Sequence, residues 1–151
     1  MASAPTVQCL EIVGNPGSYR LLSMPFGDDI SAGGSTGAAR PFREYKNEIP
    51  VAVEDLPMQR ATSSGSEARD QEITLRFKDS QERHIFGNAA PLFDGQGKVR
   101  GAVAAFVDVT RLKMVEAKLK HEDQLKNEFL AMLGHELRNP LAAVRNAVIL
   151  I

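Results

Sequence analysis

A histidine near the C-terminal end of the chain has neighbours that suit phosphoryl or metal chemistry. His135 is followed by Glu136, Asn139 and Pro140 in a leucine-rich segment. A neutral imidazole has a pKa of about 6.5 and a free ring nitrogen, so it can attack a phosphorus atom or bind a metal. Glu136 could accept the second ring proton or stabilise the imidazolium that such an attack creates.

The residues around His135 have the spacing of an amphipathic helix. Apolar side chains recur at Leu133, Leu137, Leu141, Val144, Val148 and Ile151. His135 lies two residues from both Leu133 and Leu137, about 200° around a helix, so its side chain is predicted to face solvent. Pro140 has no amide hydrogen, and we expect the helix to bend one turn beyond His135.

Two less specific interpretations compete for this histidine. A zinc protease helix needs a second histidine four residues after His135, and Asn139 stands there instead. His84 and His121 are too far apart in sequence to pair by helical spacing, and no cluster of acidic residues and histidines supports a metal. We therefore predict no metal site and a structural role for His84 and His121. From spacing alone, His135 could also be an inert surface residue.

A predicted antiparallel sheet precedes the helix. Ile73, Leu75 and Phe77 alternate with polar residues over 72–78, the period of a half-buried strand. Further strands are predicted over 83–93 and 99–109, with turns at 78–81 and 94–97, which makes a three-stranded meander.

Two predictions concern the chain before these strands. A short helix is predicted to start with Asp55 as N-cap and to end near Gly65, with Leu56 and Ala61 buried. Residues 14–41 contain six glycines and three prolines with few large apolar residues, so we expect a mobile loop there.

From Thr110 the chain is predicted to be helical to its end, with Asp108 or Thr110 capping the first amides. Positions that alternate three and four residues apart form one face of this helix. They are apolar except in the middle of the helix, where they fall on Glu122 and Lys126. A polar interruption weakens a helical pair locally, and our hypothesis is that two packings are close in energy there. The predicted dimer seam consists of Leu112, Val115, Leu119, Phe129, Leu133, Leu137, Leu141, Val144 and Val148.

Composition limits the classes of function. The 151 residues, 43% hydrophobic, suffice for one domain or a small domain with a helical extension. Eighteen Lys and Arg against nineteen Asp and Glu leave no basic field, so nucleic acid is not an expected partner. Cys9, the single cysteine, excludes an internal disulfide and fits a reducing compartment.

Residues 1–10 do not resemble a secretory signal. The longest mostly apolar run, over 101–107, is far short of the roughly 20 residues of a membrane span. We expect a cytoplasmic protein without a membrane span. The apolar end at 147–151 lacks the residues that usually close a helix, and we expect a fragment or a truncated reading frame.

Residues 127–141, NEFLAMLGHELRNPL, form a continuous motif around His135. This motif resembles the phosphoacceptor H-box of the HisKA class of sensor histidine kinases. The resemblance implies that His135 is the phosphoacceptor, that Glu136 assists phosphoryl transfer, and that Asn139 positions water when phosphate is removed from a response regulator. It also implies that this helix pairs with a second helix in a dimeric four-helix bundle.

A second series of short motifs precedes the helix, in a fixed order and spacing. These are the strand at 72–77, GNAAPL at 87–92, Asp94-Gly95, Gly97, GAV at 101–103 and Asp108-Val109-Thr110. The series resembles the C-terminal half of a PAS sensor domain, which implies a five-stranded antiparallel sheet that often holds a ligand. Residues 10–14 are similar to the segment just after the second strand, so we expect the first two strands to be missing or residual. No cysteine stands in the flavin-adduct setting, and no cofactor is assigned.

The predicted fold class is α+β. It is a partial PAS-like antiparallel β-sheet with short helices, followed by a long signalling helix that runs into the first helix of a dimeric four-helix bundle. We expect four segments: a flexible segment with a possible PAS remnant at 1–41, a PAS-like sensor at 42–110, a coiled-coil linker helix at 111–126, and an incomplete HisKA helix at 127–151.

The resemblances imply a sensor histidine kinase fragment of a bacterial two-component system. A PAS-like input is coupled to His135, which accepts phosphate from ATP and passes it to a response-regulator aspartate. ATP and Mg would be bound by an ATP-binding domain in cis or in trans, so the chain is not expected to be active alone. Expected partners are a second copy, a receiver domain and that ATP-binding domain. The alternative is a non-catalytic PAS and coiled-coil module for dimerisation and protein interaction.

Overall fold

The computed structural model describes residues 11–32 and 40–149, with side chains up to residue 138. The elements are α1 (Pro16–Leu22), β1 (Phe42–Lys46), β2 (Ile49–Pro50), a 3-10 turn (Val53–Asp55), α2 (Pro57–Ser64), β3 (Ala68–Phe77), β4 (Glu82–Phe93), β5 (Val99–Asp108) and α3 (Thr110–Ile149). The chain divides into two compact units, Met1–Thr110 and Arg111–Ile151.

The first unit is built on a five-stranded antiparallel sheet in the order β2-β1-β3-β4-β5. The three predicted strands are confirmed within a few residues, as are the turns that join them. The hairpin of β1 and β2 was not predicted, because its short run mixes charged and apolar residues. It extends the sheet at the side of β3, where Phe42 lies opposite Phe77. The sheet and the long helix confirm the α+β fold class.

One face of the sheet carries the larger hydrophobic core. Ile73 and Leu75 of β3 and Ile85 of β4 point to this face, with Ile73 directly opposite Ile85 in the register. Tyr19 of α1 and Phe42 of β1 complete the buried cluster. Leu75 is 1% exposed, and burying a side chain of this size contributes about 1.5–3 kcal/mol.

A second, smaller cluster holds α2 against the sheet. Ala61 of α2, Ala68 of β3 and Ala89 of β4 are buried together, and such small side chains let helix and strands approach closely. The predicted burial of Ala61 is confirmed, whereas Leu56 is only half-buried. The predicted N-cap is wrong: Asp55 ends the 3-10 turn, and Leu56 precedes Pro57 at the start of α2 without a side-chain cap. Gly65 closes the helix at φ 66°, as expected.

The predicted loop over 14–41 is wrong for residues 16–22, which form α1. Asn15 caps this helix by accepting a hydrogen bond of 2.9 Å from the Ser18 amide. Tyr19 is 2% exposed, and its hydroxyl donates to the Asp28 carbonyl at 3.0 Å. At the other end, the Arg83 guanidinium of β4 donates to the carbonyls of Arg20 and Leu21. These distant contacts hold a helix that the local glycine content disfavours.

At Gly87, strand β5 leaves no room for a side chain on β4. A Cβ atom on Gly87 would lie 1.9 Å from the Ala105 carbonyl oxygen and 2.8 Å from the Phe106 Cα. A Cβ on Gly101, in the same strand pair, would meet nothing within 4 Å. The two glycines therefore provide a matched pair for measuring the effect of this close approach.

We predict that Gly87→Ala lowers the free energy of unfolding by about 3 kcal/mol, because the strands must move apart to admit the methyl group. Gly101→Ala should change the free energy of unfolding by less than about 1 kcal/mol. The space around Gly101 is open, and alanine reduces the conformational freedom of the unfolded chain. Urea unfolding followed by circular dichroism measures both. Equal effects of the two substitutions would contradict the close approach.

Candidate functional site

The side chain of His135 is exposed on α3, and so is that of the adjacent Glu136. An exposed imidazole can be reached by a partner protein, which a phosphoacceptor requires. The apolar seam on this helix is exposed as well. Exposure alone therefore does not distinguish the face that carries His135 from the face that carries the seam. The roles of His135 and Glu136 stay predictions.

The seam of α3 exposes large apolar side chains. Leu112, Val115, Leu119, Phe129, Leu133 and Leu137 are each between 36% and 65% exposed. A series of this length on one helix is typical of a protein contact surface. The remaining predicted site residues lie where the structure describes the α3 backbone but not the side chains: Asn139, Pro140, Leu141, Val144 and Val148. The bend at Pro140 therefore stays a prediction.

A network of hydrogen bonds fixes the junction between β5 and α3. The Thr110 amide donates to Asp108 Oδ1 at 2.9 Å, so the predicted capping by Asp108 is confirmed. The His84 amide in turn donates to Thr110 Oγ1 at 2.9 Å, and the Val109 amide donates to the His84 carbonyl at 2.8 Å. The first residue of α3 is thus tied to the neighbouring strand β4.

The other two histidines differ in their surroundings. The Nδ1 of His84 lies 3.0 Å from the Thr74 hydroxyl across β3 and β4, which fits a structural role. His121 is exposed on α3, fourteen positions before His135. It is therefore a natural internal control for chemistry at His135.

The electrostatics of the junction favour an ionised Asp108. The Thr110 hydroxyl lowers the pKa of Asp108 below its usual value, against an opposing contribution from burial. The Thr110 amide and the electrostatic interactions with the nearby Arg83 and His84 side chains lower the pKa of Asp108 further. The ionised carboxylate therefore supports the start of α3.

We predict that Asp108→Asn flattens the acid dependence of stability. A carboxylate with a lowered folded pKa stabilises the fold above its unfolded pKa of about 3.9, and this stability is lost as the pH falls through the folded pKa. The unmodified chain should thus lose more stability than the variant between about pH 5 and pH 3. Thermal unfolding across this range measures the difference. Asp123→Asn, on exposed α3, is the control, and an equal flattening in both variants would contradict the prediction.

A cavity of about 670 Å³ lies over the core face of the sheet in the first unit. Its walls are mainly apolar and include Ile73, Ile85 and Phe106. Arg40 and Glu44 also line it, and they pair through two hydrogen bonds, one of which joins Nη2 to Oε2 at 3.0 Å. The volume is within the range of small-molecule sites. Ligand binding in this cavity stays a prediction.

Among the described residues, no three His, Cys, Asp or Glu side chains cluster so that they could hold a metal ion. None of the helices within the described ranges combines the length and the apolar character that crossing a membrane requires.

Two structural residues escaped prediction. Asp29 accepts hydrogen bonds from the Ile12 amide at 2.9 Å and the Ser31 amide at 2.8 Å. The Asp-x-Ser spacing is a turn signal that could have identified it. Arg83 contacts carbonyls 62 and 63 residues away in the sequence, and its guanidinium lies 4.8 Å from the centre of the Phe77 ring. No local pattern indicates such contacts.

Comparison with known proteins gives one family and several relatives. Residues 33–113 match the model of the PAS fold. The virulence sensor protein BvgS of Bordetella pertussis is 28% identical over 82 residues, which cover 50% of this chain and 6% of that protein. The C4-dicarboxylate transport sensor protein DctS of Rhodobacter capsulatus is 26% identical over 125 residues, which cover 76% of this chain and 19% of that protein. The chain thus spans less than a fifth of these relatives, and no solved structure gives a significant match.

Proposed function

Because this chain belongs to the PAS fold family, we propose that it is the sensory input and signalling helix of a sensor histidine kinase, with His135 as the phosphoacceptor. The observation that carries the proposal is the direct passage from β5 into α3 through the hydrogen-bonded junction at Asp108–Thr110. His135 lies 25 positions after Thr110, about 37 Å along a continuous helix. We propose that a change in the sheet reaches His135 through this helix.

The similarity to sensor proteins supports this proposal. The match to DctS covers more of the chain than residues 33–113, so the likeness is not limited to the part matched by the PAS fold model. Both relatives are named as sensor proteins. The H-box motif of residues 127–141 supports the finer assignment to the HisKA class.

The proposed chemistry is phosphoryl transfer. A ring nitrogen of His135 attacks the γ-phosphorus of ATP, so that an N–P bond forms and the P–O bond to the departing ADP breaks. Glu136 accepts the proton of the other ring nitrogen in part and stabilises the imidazolium. An aspartate of a receiver domain then attacks the same phosphorus, and the N–P bond breaks. Asn139 positions the water that later removes phosphate from that aspartate.

ATP and Mg are supplied in this scheme by an ATP-binding domain, in cis or in trans. Because the phosphoryl donor is ATP and the acceptor is a receiver domain, we place the chain in the bacterial cytoplasm.

We predict that His135→Gln abolishes phosphorylation of the chain. The assay supplies Mg-ATP and a histidine-kinase ATP-binding domain in trans, and intact mass detects the added phosphate. The His121→Gln variant should be phosphorylated like the unmodified chain, because His121 lies on the same helix outside the motif. The phosphate should be acid-labile, as a phosphorus–nitrogen bond is.

The two histidine variants also define what contradicts the proposal. Phosphate that persists in His135→Gln, or that disappears in His121→Gln alone, would exclude His135 as the acceptor. If ATP-binding domains from several histidine kinases all fail to phosphorylate the unmodified chain, the non-catalytic alternative is favoured.

The exposed seam of α3 supports the alternative function, a dimerisation and interaction module. Apolar side chains at this spacing are the positions that a parallel helical pair buries. We therefore propose a homodimer under either function. The alternative differs in that His135 would have no chemical role.

We predict that Leu119→Glu and Leu133→Glu shift the chain from dimer to monomer, because each places a charge in the seam. The dissociation constant of the dimer should rise at least about tenfold, which corresponds to about 1.4 kcal/mol. Sedimentation velocity over a concentration series measures it. Ala117 lies about 200° around the helix from Leu119, away from the seam, so Ala117→Glu should leave the dimer intact. If Ala117→Glu dissociates the chain as strongly, the seam is assigned wrongly.

A further inference from the structure

The guanidinium of Arg83 contacts the end of helix α1. Its Nη1 donates to the Arg20 carbonyl at 3.0 Å and also to the Leu21 carbonyl. The last carbonyls of a helix have no partner within the helix, and a positive charge near them is favourable. The Cζ atom of Arg83 also lies 4.8 Å from the centre of the Phe77 ring. One side chain of β4 thus closes a helix that lies more than sixty positions earlier in the chain.

Helix α1 forms part of the wall of the large cavity. Gly17, Ser18, Leu21 and Leu22 of this helix line the cavity. Leu21 has two roles, because the residue lines the cavity and its carbonyl accepts a hydrogen bond from Arg83. A displacement of α1 at the cavity is therefore also a displacement at the Arg83 guanidinium.

The residue after Arg83 holds the start of the long helix. The His84 amide donates to Thr110 Oγ1 at 2.9 Å, and the His84 carbonyl accepts from the Val109 amide at 2.8 Å. Both Arg83 and His84 pair with β3 in the register of the sheet, which keeps them in one extended strand. A single peptide bond thus joins the residue that holds the end of α1 to the residue that holds the start of α3.

We infer that Arg83 is a positioning residue that couples α1 to α3, so that unwinding of α1 weakens the hydrogen bonds of the His84 backbone at the junction of β5 and α3. The two hydrogens of Nη1 lie in the plane of the guanidinium, so this half-buried group binds two carbonyls in a fixed geometry. The coupling connects the cavity wall to the signalling helix of the proposed function. It involves neither ATP nor His135, so a failure of the coupling and a failure of the phosphoacceptor assignment are distinguishable.

The cap of α1 provides a local perturbation in the full 151-residue chain. Asn15 is exposed, and its side chain accepts from the Ser18 amide at 2.9 Å. Asn15→Ala removes this cap without a change in the core, and should speed amide exchange at residues 20–22 about fivefold. Gly65→Ala is the matched control. It strains the end of α2 at φ 66° by a similar amount, and α2 packs on the sheet through the small cluster around Ala61.

The amides of His84 and Val109 report on the junction, and nuclear magnetic resonance resolves their individual exchange rates. We expect Asn15→Ala to speed their exchange about threefold, less than in α1 because the strand pair also holds the junction. Gly65→Ala should change their exchange by less than about 1.5-fold, because α2 has no part in the coupling. An unchanged junction in Asn15→Ala, or an equal effect of Gly65→Ala, would overturn the inference.

The role of Arg83 itself is tested by repeating the Asn15→Ala comparison in Arg83→Met. Methionine keeps an unbranched apolar stem over Phe77 and has no hydrogen-bond donor. In this background, Asn15→Ala should still speed exchange within α1 but should change exchange at the junction by less than about 1.5-fold. A threefold effect at the junction that persists in Arg83→Met would overturn the inference.

The reverse perturbation leaves Arg83 in place. Coupling free energies are reciprocal, so a weakened junction must also weaken α1. Thr110→Val removes the hydroxyl that accepts from the His84 amide, and should speed exchange at residues 20–22 about twofold. Thr74→Val is the control, because it removes a partner of the His84 ring and leaves the backbone contacts of the junction. Unchanged exchange of α1 in Thr110→Val, or an equal increase in Thr74→Val, would overturn the inference even if Arg83→Met does not fold.

Discussion

The close pairing of β4 with β5 is the constraint on which the rest of the molecule depends. Gly87 lets the two backbones approach, and this fixes Ile85 opposite Asp108 and Phe86 opposite Val107. Side chains alternate between faces, so a slip of one residue would turn the apolar set of β5 away from the core. The same register places the end of β5 beside His84, whose backbone holds Val109 and Thr110. The same strand pair therefore positions the groups that hold the start of the long helix.

The two units differ in the burial of their apolar side chains. The first unit buries aliphatic and aromatic residues within its own sheet and short helices. The second is a 40-residue helix whose large apolar residues remain exposed along most of its described length. Helical propensity alone stabilises such a helix weakly, and packing of an apolar face contributes most of the stability in proteins. The exposed apolar side chains are those that the partner helix of the proposed function would bury.

Sequence patterns predicted the parts of the fold that depend on local periodicity. Ile73, Leu75 and Phe77 mark their strand through the two-residue period, and Asp108 marks the helix start through its capping side chain. Helix α1 was missed because its stability comes from Tyr19 in the core and from Arg83, more than sixty residues away. The hairpin of β1 and β2 was missed because its pairing with β3 spans the whole of α2. The prediction for His135 rests only on its motif, since an exposed histidine on a helix has no distinguishing local environment.

Strand β5 connects the cavity with the start of the long helix. Among the described strands it lies at an edge of the sheet, and it lines the cavity and leads through Thr110 into α3. A ligand bound in the cavity would contact β5 directly. The hydrogen bond from the His84 amide to Thr110 Oγ1 would be the first beyond the sheet to feel the change. Under the proposed function, input and output would thus be coupled through a single strand.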